Sequence, residues 1–112
     1  APASKATTPC TNYPYGTVTI NNTKYYTFKM RSKKTIITPN GNSWGSVASG
    51  CRVACLDACA GQTKQWTKQI HYVENTSGKW VKVTGDGKNY GFVDTGLKSG
   101  SSPTSIAMYG KW

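Results

Sequence analysis

The strongest structural signal in this 112-residue sequence is the stretch KYYTFKM at residues 24–30. Successive side chains of a β-strand point to opposite faces, so a strand that borders a core alternates apolar and polar residues. Here Tyr26, Phe28 and Met30 share one face, and Tyr25, Thr27, Lys29 and Arg31 share the other. This period of two predicts a strand with an apolar side and a basic side.

Further strand-like runs, separated by turn-forming residues, occur along the chain. They cover residues 16–20, 34–38, 66–73 and the two halves of the segment GKWVKVTGDGKNYGFV at 78–93. Asn21 and Asn22 are a turn signal because asparagine tolerates positive φ, and the sequence Gly-Asp-Gly around Asp86 is typical of a hairpin turn. Many short strands with glycine-rich turns predict an all-β fold, either a small barrel or a sandwich.

The length and the N-terminal composition indicate one exported domain. A chain of 112 residues has the size of a single domain. Residues 1–9 are small and polar, so we expect a flexible arm there and one folded domain over residues 10–112. The arm resembles a mature terminus left by signal-peptide cleavage, and no apolar run approaches the roughly 20 residues that span a bilayer. We therefore expect a secreted monomer without a membrane span.

The chain is strongly basic, with 14 lysine and arginine residues, four acids and a formal net charge of +10. The acids are Asp57, Glu74, Asp86 and Asp94. Such an imbalance concentrates polyanions near the protein by long-range attraction. Candidate partners are anionic cell-wall polymers, acidic polysaccharide, acidic proteins and nucleic acid, although export argues against the last. The alternative is that the charge only maintains solubility.

The chain has four cysteines, Cys10, Cys51, Cys55 and Cys59. Their number indicates the cellular compartment, and their spacing limits the local backbone conformation. An even count in a small chain indicates two disulfides formed in an oxidising environment, with three pairings open. The i, i+4, i+8 spacing of the last three would place them on one side of a short helical turn. A regular helix holds such Cβ atoms about 5–6 Å apart, against about 3.8 Å in a disulfide, so a bridge within the cluster needs a bent or non-helical backbone.

The sequence offers little catalytic or metal-binding machinery. His71, the single histidine, and Glu74 lie three residues apart on a predicted strand and its end, so they should point to opposite faces. Asp86 sits in a turn, and no nucleophile motif or phosphate-binding loop occurs. Cys10 and His71 could complete a zinc site with the cysteine cluster, but the exported context favours disulfides. We expect a non-enzymatic protein without a metal ion or cofactor.

Several short motifs, taken in their order, resemble the bacterial SH3-like (SH3b) domain family. They are FKMRS at 28–32, GSVASG at 45–50, WVKV at 80–83, and GFV at 91–93 followed by Leu97. The resemblance covers residues 26–97 and departs from the family at Gly96, where an aromatic residue is common. It implies a β-barrel of five or six strands, with residues 51–64 as an insertion that carries the disulfides. It also implies a targeting role, because such domains commonly bind peptidoglycan peptides or other cell-wall components.

Strand parity selects the candidate binding residues. Val81 and Val83 share the predicted core face, so Trp80 and Lys82 face the other way; the alternative is that Trp80 covers a second small core. Exposed aromatic rings beside cations suit stacking on glycans and pairing with phosphate or carboxylate groups. The candidate binding residues are Trp80, Lys82, Tyr25, Lys29, Arg31, Trp44 and Tyr90.

Two functions fit these features. The first is non-catalytic binding of cell-wall peptidoglycan or another anionic polymer through a basic, aromatic surface. The second is inhibition of an enzyme, or a toxin-like action on another protein, through a rigid loop at residues 51–59 that disulfides preorganise. Salt-sensitive binding to wall material would favour the first function. A stoichiometric, salt-insensitive complex with an enzyme would favour the second.

Overall fold

The computed structural model describes residues 14–56, 67–95 and 107–110, and these ranges contain ten β-strands joined by turns and irregular segments. The strands are β1 Gly16–Ile20, β2 Thr23–Met30, β3 Lys34–Ile37, β4 Ser43–Val47, β5 Arg52–Cys55, β6 Thr67–Ile70, β7 Tyr72–Glu74, β8 Trp80–Lys82, β9 Gly91–Asp94 and β10 Met108–Tyr109. The prediction of an all-β fold is confirmed for this part of the chain. The arm expected at residues 1–9 lies outside the described residues.

Two antiparallel sheets enclose one apolar core in a barrel-like arrangement. The larger sheet has the strand order β1-β2-β5-β7-β8, with β10 also paired to β2, and the smaller sheet has the order β4-β3-β9-β6. Both sheets contribute fully buried side chains to the core, the largest being Phe28, Met30, Ile36, Ile70 and Met108. Burial of each such side chain is worth roughly 1.5–3 kcal/mol, which makes this core the main stabilising contribution.

The larger sheet is built around β2. On one edge of this strand β1 pairs with residues 23–27 and β10 pairs with residues 29–30, while β5 pairs with the opposite edge. Phe28 and Met30 are both 0 % exposed, so the apolar face of β2 forms part of the core as the alternation predicts. On the other face Thr27 is buried as well.

Residues 66–73, predicted as one strand, instead supply two strands that belong to different sheets. β6 lies in the smaller sheet and β7 in the larger one, and His71 is the single residue between them. The backbone N–H of His71 donates to the Ala54 carbonyl at 2.9 Å, and its carbonyl accepts from the Val83 N–H at 2.9 Å. These bonds fix the corner at which the chain leaves one sheet and enters the other.

The segment at residues 78–93 also divides between the sheets and does not form the expected hairpin. β8 pairs with β7, whereas β9 pairs with β3 and β6. The β-pairing between the two halves of the segment is limited to an isolated bridge between Gly85 and Lys88. The core receives Val83, which follows β8, and Val93 of β9, so both halves of the segment contribute to it.

The turns follow the prediction closely. Asn21 and Asn22, between β1 and β2, have φ angles of 50° and 65°. Asp86 and Gly87, at the tip after β8, have φ angles of 55° and 76°. Two consecutive residues with positive φ define the type I′ turn that suits the twist of antiparallel strands, which explains why asparagine, aspartate and glycine occupy these positions.

A strand replaces the helical turn that the cysteine spacing suggested. Arg52–Cys55 is β5, paired with β2 and β7, so these residues belong to the sheet and not to an insertion. Cys51 and Cys55 lie four positions apart along extended chain, a distance of about 13 Å at 3.3 Å per residue. Disulfide-bonded Cα atoms lie at most about 6.8 Å apart. One of the three pairings, Cys51 with Cys55, is therefore excluded, and no bond joins them; Cys10 and Cys59 are not among the described residues.

We predict that no disulfide of the oxidised protein joins Cys51 to Cys55. Trypsin cuts after Arg52 and an aspartate-specific protease cuts before Asp57, so Cys51, Cys55 and Cys59 fall on three separate peptides. Mass spectrometry of the non-reduced digest should find no linked Cys51–Cys55 peptide pair. Detection of that linked pair would contradict the strand geometry of β5.

The core packs closely around Gly91. A Cβ atom at this position would lie 2.9 Å from side-chain carbons of Ile36 and Val83, and 3.0 Å from the carbonyl oxygen of Ile37. We predict that Gly91→Ala lowers the free energy of unfolding by about 1–3 kcal/mol through overpacking, as measured by urea denaturation. Gly16→Ala is the matched control, since its Cβ would meet Thr27 Oγ1 at an ordinary 3.6 Å. Equal stability of the two variants would show that the core around Gly91 is looser than described.

Candidate binding surface

The face of the larger sheet that points away from the core collects most of the predicted binding residues. Four adjacent strands contribute to this surface, here called the outer face, and its members are Tyr25, Lys29, Arg52, Tyr72, Glu74, Trp80 and Lys82. The register places Lys29 opposite Arg52, and Glu74 opposite Trp80. Side chains that are distant in sequence thus become neighbours on one surface.

Trp80 lies on the outer face and is half-buried. The parity prediction is confirmed at Val83, which is fully buried, but Val81 is 37 % exposed because β8 is the edge strand of its sheet. The guanidinium carbon of Arg52 lies 5.0 Å from the centroid of the Trp80 ring. A cation–π contact of this kind contributes about 0.5–1 kcal/mol at an exposed site. Trp80 therefore packs against a cation of the outer face and is not part of the main core cluster.

Arg52 also binds Glu74, the carboxylate of the outer face. Arg52 Nη2 donates to Glu74 Oε2 at 2.8 Å, and Arg52 Nε and the Arg52 backbone N–H both donate to Oε1, at 3.2 and 3.1 Å. These hydrogen bonds hold the pKa of Glu74 below its ordinary value, and the charge of Lys29 contributes to the shift. Glu74 therefore remains ionised and is compensated by Arg52, which leaves Lys29 and Lys82 as the excess positive charge of this face.

A run of aromatic rings continues from the outer face across the corner between the two sheets. The centroid distances are 5.3 Å for Tyr72–Tyr25, 5.9 Å for Tyr25–His71, 6.1 Å for His71–Tyr90 and 5.7 Å for Tyr90–Phe92. We call these five side chains the aromatic run. The interplanar angles range from 40° to 82°, so the contacts are tilted or edge-to-face, as aromatic pairs prefer. Each ring thereby restricts the orientation of the next.

His71 is held at the middle of the aromatic run by its own hydrogen bond. Its Nδ1 atom lies 3.1 Å from the carbonyl oxygen of Asn89. Since a carbonyl oxygen can only accept, the imidazole proton resides on Nδ1 in this contact. Glu74 is bound by Arg52 instead, so the two residues have different partners and do not act as an acid–base pair.

Phe92, the last ring of the run, lines a groove on the outward side of the smaller sheet. The groove has a volume of about 550 Å³, which is within the range of roughly 300–1,000 Å³ for small-molecule sites. Its other principal lining residues are Ile37, Pro39, Thr35, Thr67, Lys34 and Asp94. Ile37 is 36 % exposed although it is a large aliphatic residue in a strand, which marks the groove as an apolar surface open to a ligand.

Two of the predicted binding residues lie elsewhere. Trp44 packs against the core and lines a separate depression of about 390 Å³ together with Lys33 and Val81. Arg31 follows the last paired residue of β2, where its backbone N–H donates to the Ala107 carbonyl at 2.6 Å. Trp80, Lys82, Tyr25 and Lys29 share the outer face, and Tyr90 joins them through the aromatic run.

Four residues of the outer face and the aromatic run were not among the predicted binding residues: Arg52, Tyr72, His71 and Phe92. Arg52 was not selected because the cysteine spacing suggested a helical turn. The alternation of Cys51, Val53 and Cys55 around it also fits a strand. His71 and Phe92 reach this surface through the corner between the sheets, for which the sequence carries no local signal. Tyr72 lies in a predicted strand, but the face to which its side chain points depends on the break at His71, which the sequence does not indicate.

Further features of the described ranges concern metal binding, Asp86 and membrane crossing. No three histidine, cysteine, aspartate or glutamate side chains there lie close enough to hold a metal ion. Asp86 has a structural role, since its Oδ2 accepts from the Asn40 backbone N–H at 3.0 Å, and hydrogen bonds led by that of Thr38 hold its pKa below the ordinary value. The described residues contain no helix with the length and hydropathy that crossing a bilayer requires.

No family model, curated protein sequence or solved structure matches this chain. The chemistry of the outer face, the aromatic run and the groove is therefore the basis for assigning a function. Together these surfaces combine excess positive charge, ordered aromatic rings and an apolar depression.

The Arg52–Glu74 pair generates a pH-dependent prediction. Glu74→Gln keeps the shape of the side chain but loses the charge-assisted bonds, so we expect the free energy of unfolding at neutral pH to fall by about 1 kcal/mol. Because folding depresses the pKa of Glu74, the wild-type advantage is present above the unfolded-state pKa and disappears as the pH falls through the folded-state pKa.

Urea denaturation of both proteins at neutral pH and near pH 2 measures this difference. The two stabilities should converge at the acidic pH, where the carboxyl group is protonated in the folded and unfolded states. A difference of the same size at both pH values would mean that the ionised pair does not contribute to stability.

Proposed function

We propose that this protein is a secreted, non-catalytic binding protein that recognises cell-wall peptidoglycan or another anionic polymer through its outer face. One observation carries the proposal: Arg52 and Lys82 lie beside Trp80, and Lys29 lies opposite Arg52, on a face whose carboxylate is already bound by Arg52. Aromatic rings beside cations suit both the apolar and the charged parts of a wall polymer. A net charge of +10 adds long-range attraction for such a ligand.

The proposal includes an SH3-like identity for the barrel and a disulfide framework. The order of the motifs over residues 26–97 supports the first, and the antiparallel all-β architecture agrees with it. The even number of cysteines supports the second, with Cys51 and Cys55 each bonded to one of Cys10 and Cys59. Such bridges form in an oxidising compartment, which fits export from the cell.

The alternative function, inhibition of an enzyme or a toxin-like action on a protein, has a weaker physical basis. It depends on an exposed rigid loop at residues 51–59. Val53, Ala54 and Cys55 are buried within β5, between two neighbouring strands, and cannot be presented to a target protein. Anionic-polymer binding is therefore the function that the described surface supports best.

Sedimentation with purified bacterial wall preparations across a salt series tests the proposed function. We predict binding at low salt that weakens as salt rises, because screening reduces attraction between exposed charges. Lys82→Ala should weaken binding severalfold, by removing one cation from the outer face. Lys88→Ala is the matched control: it makes the same change in net charge at the turn after β8 and should have a much smaller effect.

Trp80→Ala should weaken wall binding by about tenfold, equivalent to about 1.4 kcal/mol, while the protein stays folded. Trp80→Phe keeps an aromatic ring beside Arg52 and should recover part of the lost affinity. Far-ultraviolet circular dichroism and urea denaturation establish that each variant is folded. Absence of binding to any wall polymer at low salt, or equal losses in Lys82→Ala and Lys88→Ala, would contradict the proposed function.

A further inference from the structure

The groove on the smaller sheet has a lining that matches a sugar ring. Its residues combine apolar side chains, hydroxyl groups and charges, namely Ile37, Pro39 and Phe92, Thr35 and Thr67, and Lys34 and Asp94. A sugar ring presents an apolar C–H face together with hydroxyl groups at its edge, and each part finds a counterpart here. A chain of phosphate groups has no apolar face to place against Ile37, Pro39 and Phe92.

The aromatic run connects this groove to the outer face without a break. Phe92 belongs both to the run and to the groove lining. Four of the five rings, those of Tyr25, His71, Tyr90 and Phe92, are half-buried and so keep part of their surface accessible. Because contacts within the run already fix the rings, a ligand that packs on them would lose little side-chain entropy on binding.

The run and the groove extend over both sheets, which is more surface than one small molecule can cover. A linear polymer of sugar rings would offer an apolar face at each unit along such a path. Lys82 lies opposite Tyr72, where the run begins, and Lys34 lines the groove in which it ends, so acidic groups on the polymer would find cations at both places.

We propose that the ligand is a linear acidic polysaccharide, held by the cations of the outer face and packed along the aromatic run into the groove. This inference rests on the proposed function and narrows its ligand from anionic polymers in general to a polysaccharide. It also extends the site to residues of the smaller sheet that charge alone would not select.

Isothermal titration calorimetry with three probes tests the inference: a dimer and an octamer of galacturonic acid, and inorganic polyphosphate of similar charge to the octamer. The octamer should bind about tenfold more tightly than the dimer, because only the longer chain can contact the run and the groove together. Tyr90→Ala should weaken octamer binding about fivefold, the size expected for one aromatic contact. Polyphosphate binding should not change in this variant.

Two further variants separate a loss of contact from a loss of folding. Tyr90→Phe keeps the ring and should bind the octamer as the wild type does. Thr35→Val removes an exposed hydroxyl group from the groove with little change of shape, and should weaken binding of the octamer but not of polyphosphate.

The inference is overturned if polyphosphate binds as tightly as the octamer, and if Tyr90→Ala and Thr35→Val each change the affinities for the two probes by the same factor. It is also overturned, without affecting the proposed function, if wall material sediments the protein but the octamer does not bind. If no probe binds and wall material does not sediment the protein, the proposed function itself is wrong.

Discussion

The alternation of side chains along β2 is the constraint on which the rest of the structure depends. Its two edges carry β1, β10 and β5, so the larger sheet is assembled on this one strand. Phe28 and Met30 anchor the core on one face, and Tyr25 and Lys29 begin the binding surface on the other. A slip of one residue in register would exchange these faces, which would expose the core residues and bury a lysine.

The same alternation explains which parts of the fold could be predicted. β1, β2 and β3 and the turns at Asn21 and Asp86 depend on local signals, and all of them were predicted. The passage of the chain from one sheet to the other, at His71 and again after β8, was not predicted. A run of strand residues has the same sequence pattern whether it stays in one sheet or bends into another. The cysteine spacing fitted a helical turn equally well, until pairing with β2 and β7 required an extended chain at β5.

The candidate site was predictable to the extent that strand parity determines it. Parity placed Trp80 and Lys82 away from the core, and the structure agrees. It could not distinguish Trp44, which packs against the core, or reveal Arg52, whose contacts with Trp80 and Glu74 depend on the register of β5, β7 and β8. The pairing register of strands that are distant in sequence thus determines which basic and aromatic residues become neighbours on this surface.

The most direct measurement of the binding surface is nuclear magnetic resonance of the ¹⁵N-labelled protein during titration with soluble anionic wall-polymer fragments. The indole N–H of Trp80 reports on the outer face, and that of Trp44 reports on the separate depression beside β4. Binding at the outer face predicts progressive shifts of the Trp80 indole and of the Lys29 and Lys82 amides, with the Trp44 indole unchanged. Shifts centred on Trp44 and Val81, with a stationary Trp80 resonance, would contradict the assignment of the outer face as the binding surface.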